Sequence, residues 1–144
     1  MIRIPFMGRS YFTPVLDSCA AEVYAERVMK MMLSVDFHFS AAHQLPFYDG
    51  PCKRLHGHNY VLRVSLAGRP QPKDGMIRDF DEVKKTVWDQ VLTKVDHYYL
   101  NDIVENPTAE NIIVWMWERL EPLVPGLEEL MLWETPEYCV TFRK

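Results

Sequence analysis

The sequence predicts an α+β domain in which two helices cover one face of a four-stranded antiparallel sheet. Three observations lead there. Two segments, 33–43 and about 56–66, alternate apolar and polar residues with a period of two. Two later segments space their apolar residues by three and four, which is the helical period. Two further apolar runs, 127–133 and 137–142, flank a Thr-Pro turn. The order is strand, strand, helix, helix, strand, strand, which packs naturally as two layers.

Each element has its own signals. In the first strand Val35, Phe37, Phe39 and Ala41 share one parity, with Asp36, His38 and Ser40 on the other. Pro46, Gly50 and Pro51 mark 45–55 as a loop. In the second strand Leu62, Val64 and Leu66 share a face, and Gly68, Pro70 and Pro72 end it. Asp79 with Glu82 has the form of a capping box, followed by Phe80, Val83, Val87, Val91 and Val95 on one helical face. Thr108, after Pro107, caps the second helix, whose inner face is Ile112, Met116, Leu120 and Leu123. The last two strands join across Thr135-Pro136. Such a sheet leaves two edges and one face uncovered, and pairing the edges of several copies into a closed barrel would satisfy them.

At 144 residues and 48% hydrophobic content the chain suffices for one packed domain. A formal net charge of -4, with basic residues scattered and adjacent only in pairs such as Lys53-Arg54, gives no electrostatic reason to expect nucleic acid. No apolar run approaches the ~20 residues that span a bilayer, so no membrane partner is expected. The three cysteines, Cys19, Cys52 and Cys139, have unrelated spacings, which argues against a secreted disulfide framework and for a reducing cytoplasm. Cys139 reads as a small buried hydrophobe, and Cys19 is unassigned. Residues 1–30 differ from the rest: Pro5, Gly8 and Pro14 precede a helix-compatible stretch from Asp17 to Met31. They are either an N-terminal extension or a leader upstream of a start at Met31 or Met32, with the domain proper at 31–144.

Three of the five histidines lie in His43-x12-His56-Gly57-His58. Residues two apart on a strand share a face, roughly 6–7 Å apart, so His56 and His58 can converge on one ion. His43, ending the neighbouring strand, can supply a third nitrogen, and Gly57 leaves room for close packing on the opposite face. Three neutral nitrogens suit zinc and leave a coordination position open. The alternative is a closed structural site with Cys52 as fourth ligand. His38 has the opposite parity and is left out.

Cys52 precedes His56 in Cys52-Lys53-Arg54-Leu55-His56. Two cations and a nearby metal would favour its thiolate, which can act as a general base. Asp96-His97 pairs a carboxylate with an imidazole it could orient, although adjacent residues need the fold's help to meet; Asp96 could also simply cap a turn. Glu134, ending the apolar run Leu130-Met131-Leu132-Trp133, is either a surface residue or an anchor.

Several stretches together resemble the 6-pyruvoyl-tetrahydropterin synthase superfamily, which has the tunnelling fold. They are Phe39-Ser40-Ala41-Ala42-His43, the segment from Cys52 to Tyr60, Gly75-Met76-Ile77-Arg78-Asp79-Phe80, the segment from Asp96 to Asp102, the segment from Asn106 to Asn111, and Trp133-Glu134-Thr135. The spacing from Cys52 to His-Gly-His looks like the bacterial and archaeal 6-carboxy-5,6,7,8-tetrahydropterin synthases of the queuosine route; the animal pyruvoyl enzymes carry a longer insertion there. A third branch, feeding folate synthesis, puts glutamate near the cysteine position. The resemblance implies a lyase that converts 7,8-dihydroneopterin triphosphate to 6-carboxytetrahydropterin, acetaldehyde and triphosphate. It implies Zn2+ on His43, His56 and His58, with Cys52 as one proton shuttle and Asp96 with His97 as the other. Glu134 would hold the pterin by accepting its paired N–H donors, with Thr108 and Glu110 in the same pocket. Lys53, Arg54 and Arg78 could meet the triphosphate, on charge alone. The assembly would be a homohexamer with active sites at subunit contacts. The rival readings are a 6-pyruvoyl-tetrahydropterin synthase and a non-catalytic zinc-binding module.

Overall fold

The protein is described by a computed structural model covering residues 30–143. The expectations for the leader, including the helix-compatible stretch from Asp17, lie outside the described residues, although Met31 and Met32 fall within the first strand. That strand, β1 (Met31–His43), pairs antiparallel with β2 (His56–Gly68) along its whole length, from Met31 opposite Gly68 to His43 opposite His56. Both strands run two residues past the alternating pattern, because each supplies the other's backbone partners as far as Gly68. β3 (Leu127–Trp133) and β4 (Cys139–Arg143) complete a sheet of order β1-β2-β3-β4.

The period-two reading holds. Leu33, Val35, Phe37, Phe39 and Ala41 of β1 and Tyr60, Leu62, Val64 and Leu66 of β2 are buried on one face. Leu130 and Leu132 of β3 join them. The opposite face is polar. There Arg63 donates to both oxygens of Asp36, at 2.7 and 2.8 Å, and the Ser34 and Ser65 hydroxyls pair at 2.9 Å.

Helix α1 (Phe80–Val87) starts where expected, with the Asp79 carboxylate accepting from the Asp81 amide at 2.8 Å. It continues as a π-helical turn (Trp88–Leu92) and a closing α turn (Thr93–Val95). The apolar spacing explains the change of pitch. Val83, Val87, Val91 and Val95 recur every four residues, and an α-helix would rotate each by about 40° from the last. The wider π turn takes up that drift, so all four stay buried. Phe80, the first residue of the helix, does not join them and is 54% exposed.

Helix α2 (Ala109–Leu120) is capped by Thr108, which accepts from the Asn111 amide at 3.3 Å. Ile112, Met116 and Leu120 face the core as expected, with Ile113 and Trp117 beside them. Leu123 is exposed, since it lies past the helix end on the way to Gly126. Cys139 is also exposed rather than buried, because its parity in β4 puts it opposite Trp133 on the face away from the helices.

Gly126 has a φ of 84°, and a Cβ there would lie 2.6 Å from the Ala67 carbonyl oxygen. Its own carbonyl accepts from the Ala67 amide at 2.8 Å, so this turn seats β3 on β2. Gly126→Ala should therefore cost at least about 1–2 kcal/mol from the left-handed φ alone. An unchanged urea midpoint would refute this account of the turn.

Candidate metal and substrate site

Because His43 sits opposite His56, and Ala41 opposite His58, all three imidazoles emerge on the helix-covered face at the end of the β1–β2 pair. Gly57 makes the close approach possible: a Cβ there would stand 2.9 Å from the Ala41 carbonyl oxygen. Among the described residues, His43, His56 and His58 form the group able to hold a metal, each offering one nitrogen, with these atoms within 4.8 Å of one another. Cys52 is not one of that group.

The hydrogen bonds of the rings settle their tautomers. His43 Nδ1–H donates to the Pro107 carbonyl at 2.8 Å, and His56 Nδ1–H donates to the Arg54 carbonyl at 2.8 Å. A carbonyl can only accept, so in the neutral rings both protons are on Nδ1. The two Nε2 atoms then present lone pairs to each other at 3.1 Å. Two acceptors at that distance repel unless a cation lies between them. Nitrogen ligands about 2.0–2.1 Å from a tetrahedral zinc stand about 3.3–3.4 Å apart, close to the observed separation. Burial lowers the pKa of His43 and, with His56, that of His58, which favours the neutral, metal-binding form of both. The donor set fits a metal ion.

Around the trio the predicted residues divide into three groups. Cys52 lies half-buried in the short 3-10 turn Pro51–Lys53, and its carbonyl accepts from the Leu45 amide at 2.9 Å, closing the loop. Asp96 and His97 follow the closing turn of α1 and are drawn to the open edge of β1. The Ser40 amide donates to Asp96 Oδ1 at 3.0 Å, and the His97 amide donates to the Ser40 carbonyl at 2.6 Å. His97 takes a φ of 64°, a left-handed conformation uncommon for a residue with a side chain. So placed, its Nδ1 meets Asp96 Oδ1 at 2.9 Å, the contact that adjacency alone does not provide. His97 and His58 line a shared cavity of about 490 Å³ with Ser40, Ala42 and Tyr98.

Glu134, Thr108 and Glu110 come together in a second cavity of about 260 Å³, walled by Leu45, Tyr138 and Val140. Burial, and then repulsion from Glu110, raise the pKa of Glu134; His56 and Tyr60 partly offset this. Arg78 does not belong to either cavity. It pairs with Glu82 at 3.6 Å and lines a cavity with Leu66 and Leu123, towards the far end of the sheet. Charge alone was a poor guide to it, whereas Lys53 and Arg54 do flank the histidines in sequence and are exposed.

Three contributors carry little sequence signal. The Pro107 and Arg54 carbonyls act through backbone, which no side-chain pattern reveals. Tyr60, two residues beyond His58 on the same face, is wholly buried beneath the trio, with its ring centroid 5.5 Å from that of His58.

Comparison with known proteins bears on the fold and the family. The family described as 6-pyruvoyl tetrahydropterin synthase matches residues 32–144. The chain belongs to this family. A 6-carboxy-5,6,7,8-tetrahydropterin synthase of Synechocystis is 42% identical over 107 residues, covering 69% of this chain and 83% of that one. A dihydroneopterin monophosphate aldolase of Pyrococcus furiosus is 39% identical over 115 residues, 78% of this chain and 96% of that one. The structure of Caenorhabditis elegans 6-pyruvoyl tetrahydropterin synthase superposes with a TM-score of 0.71 at 31% identity, covering 81% of this chain and 99% of that one. The four-stranded sheet with its two helices is thus the tunnelling fold of the 6-pyruvoyl tetrahydropterin synthase family.

The raised pKa of Glu134 has a consequence for stability. Its folded-state value exceeds the unfolded one, so folding is disfavoured as pH rises through that window and the carboxylate forms. In metal-stripped protein, Glu134→Gln should gain stability over the parent near pH 7 and lose that advantage near pH 4. Urea midpoints at the two values test this, and an advantage larger at pH 4 would contradict it.

Proposed function

We propose that this chain is a zinc-dependent lyase that converts 7,8-dihydroneopterin triphosphate to 6-carboxytetrahydropterin, acetaldehyde and triphosphate. The observation that carries the metal-dependent part is the pair of facing Nε2 lone pairs of His43 and His56, 3.1 Å apart, with His58 beside them. The carboxy product is supported by the three residues between Cys52 and His56, and by the Synechocystis relative of that name. The catalytic domain in this reading is 31–144, with 1–30 as an extension.

In this reading Zn2+ is held by His43, His56 and His58. When bound there it supplies Lewis acidity to the substrate's side-chain hydroxyls. Glu134 accepts the pterin's paired N–H groups, with Thr108 and Glu110 bordering the ring. Cys52 moves a proton from one flank, and His97, oriented by Asp96, from the other. Two proton-transfer groups on opposite flanks suit a side chain that must gain and lose protons at different carbons. The open edges of β1 and β4 support closure into a barrel and a homohexamer, whose subunit contacts would complete the pocket. No helix among the described residues is long and apolar enough to cross a membrane. Both described cysteines are free thiols, consistent with a reducing cytoplasm.

A second reading keeps the site and changes the substrate. The Pyrococcus relative, aligned over 96% of its length, is named for an aldolase acting on dihydroneopterin monophosphate. A 6-pyruvoyl product from the triphosphate is the third outcome. Against a non-catalytic zinc module stands the position of Cys52 outside the ligand group.

Anaerobic incubation of zinc-loaded protein with the triphosphate and, separately, the monophosphate, followed by mass spectrometry, separates these readings. Carboxytetrahydropterin with acetaldehyde is the expected result. Cleavage of the monophosphate alone would replace the reading by the aldolase, and inertness to both by the zinc module. Cys52→Ala should lose about 10²-fold or more in turnover, the scale of a lost general base. It should keep one zinc per chain; substoichiometric metal would mean that Cys52 is a ligand.

A further inference from the structure

Tyr60 lies on β2 two residues past His58 and four past His56, on the same face. It is 0% exposed, and its ring stacks on Phe39 with centroids 4.8 Å apart. The ring alone accounts for a packing role as the floor beneath the histidines. The hydroxyl does not fit that role, because its oxygen is buried without a hydrogen-bond partner among the described residues. A phenylalanine would fill the same space without the desolvation penalty.

The sheet register says what the hydroxyl faces. Leu62 pairs with Leu132 and Val61 with Trp133, so Tyr60 and Glu134 are next in line across β2 and β3. The hydroxyl and the carboxylate lie within reach of each other, short of a well-formed hydrogen bond in the free chain. Glu134, in turn, borders the cavity that also holds Thr108 and Glu110.

We propose that Tyr60 is a positioning residue: when a pterin is bound, its hydroxyl, unpartnered in the free chain, donates to one face of the Glu134 carboxylate and aims the remaining lone pairs at the pterin's two N–H donors. A carboxylate offers about four acceptor directions, and a bidentate partner uses two of them in one plane. A donor fixed from below removes rotational freedom about the carboxylate's own axis. The phenol is suited to this because its ring is clamped and it can donate only one proton. The inference rests on Glu134 being the pterin anchor.

The test uses the full chain with zinc bound and neopterin as a non-reacting probe, its Kd read by fluorescence quenching. Tyr60→Phe should weaken neopterin about tenfold, the size of one hydrogen bond to a charged group. Zinc content should stay at the parent's level, and the thermal midpoint should hold or rise, since an unpartnered hydroxyl has been removed. With the natural substrate the loss should fall on KM more than on kcat. In a Glu134→Gln background Tyr60→Phe should add little. An unchanged neopterin Kd in Tyr60→Phe, with Glu134→Gln weakened, would overturn the role of Tyr60 and leave the anchor standing. Neopterin binding indifferent to Glu134→Gln would overturn the anchor itself. A Tyr60→Phe chain that failed to fold would also count against the proposal, since the hydroxyl would then serve the core.

Discussion

Two imidazole nitrogens facing each other with their lone pairs, 3.1 Å apart, are the constraint around which one end of this protein is built. Left to themselves the rings would turn away. They are prevented by two carbonyls from different loops, Pro107 behind His43 and Arg54 behind His56. Asn101 adds a clamp, donating to the Gln44 carbonyl and accepting its amide at 2.9 and 3.0 Å, so the chain leaving His43 cannot slide. Nor can His43 readily escape by protonation, because it is almost fully buried and its charged form is disfavoured. A cation between the nitrogens turns the repulsion into attraction, which ties metal affinity to the folding of this end of the sheet.

The sheet also shows why the chemistry sits where it does. Along one face of β2 the side chains run His56, His58, Tyr60, Leu62, Val64, Leu66. That series passes from ligands, through an amphipathic ring, to pure hydrocarbon. The valines of α1 and the inner face of α2 cover the hydrocarbon part, and the polar part emerges where that cover ends. Glu134 extends β3 at the same level, and Thr108 opens α2 there. Cap, ligand and anchor therefore gather at one end because the hydrophobic core stops there, and a packed core below keeps them in register.

Much of this was legible in the residues. Strand parity put His43, His56 and His58 on one face and excluded His38, and Thr108 was readable as a cap because a hydroxyl just before a helical period can accept from the free amides of the first turn. The misreadings share a cause. Phe80 and Leu123 were assigned inward by extending a helical spacing and Cys139 from apolar character, yet each lies at an element's end or on the wrong parity, where the sheet and helices no longer enclose it. The four-residue valine spacing signalled the π turn, but only when set against the 3.6-residue period. Backbone acceptors such as the Pro107 carbonyl leave no mark in the sequence, since any residue could supply them.

The Asp96–His97 pair shows how a weak sequence signal becomes a defined geometry. Neighbouring side chains on a regular backbone diverge, and the left-handed φ of His97 brings them together. Such a conformation costs roughly 1–3 kcal/mol and persists only where its surroundings hold it. The hold here is the edge of β1: Ser40 gives and takes one hydrogen bond each with Asp96 and His97, and the Ala42 amide donates to the Tyr98 carbonyl at 3.1 Å. These same bonds cover the last residues of the β1 edge, at Ser40 and Ala42, and leave the rest of that edge open. One strand thus carries a metal-type histidine on its buried face and a carboxylate–imidazole pair on its rim. The distance between them is set by β1 itself, so a change that shifts the strand must move both.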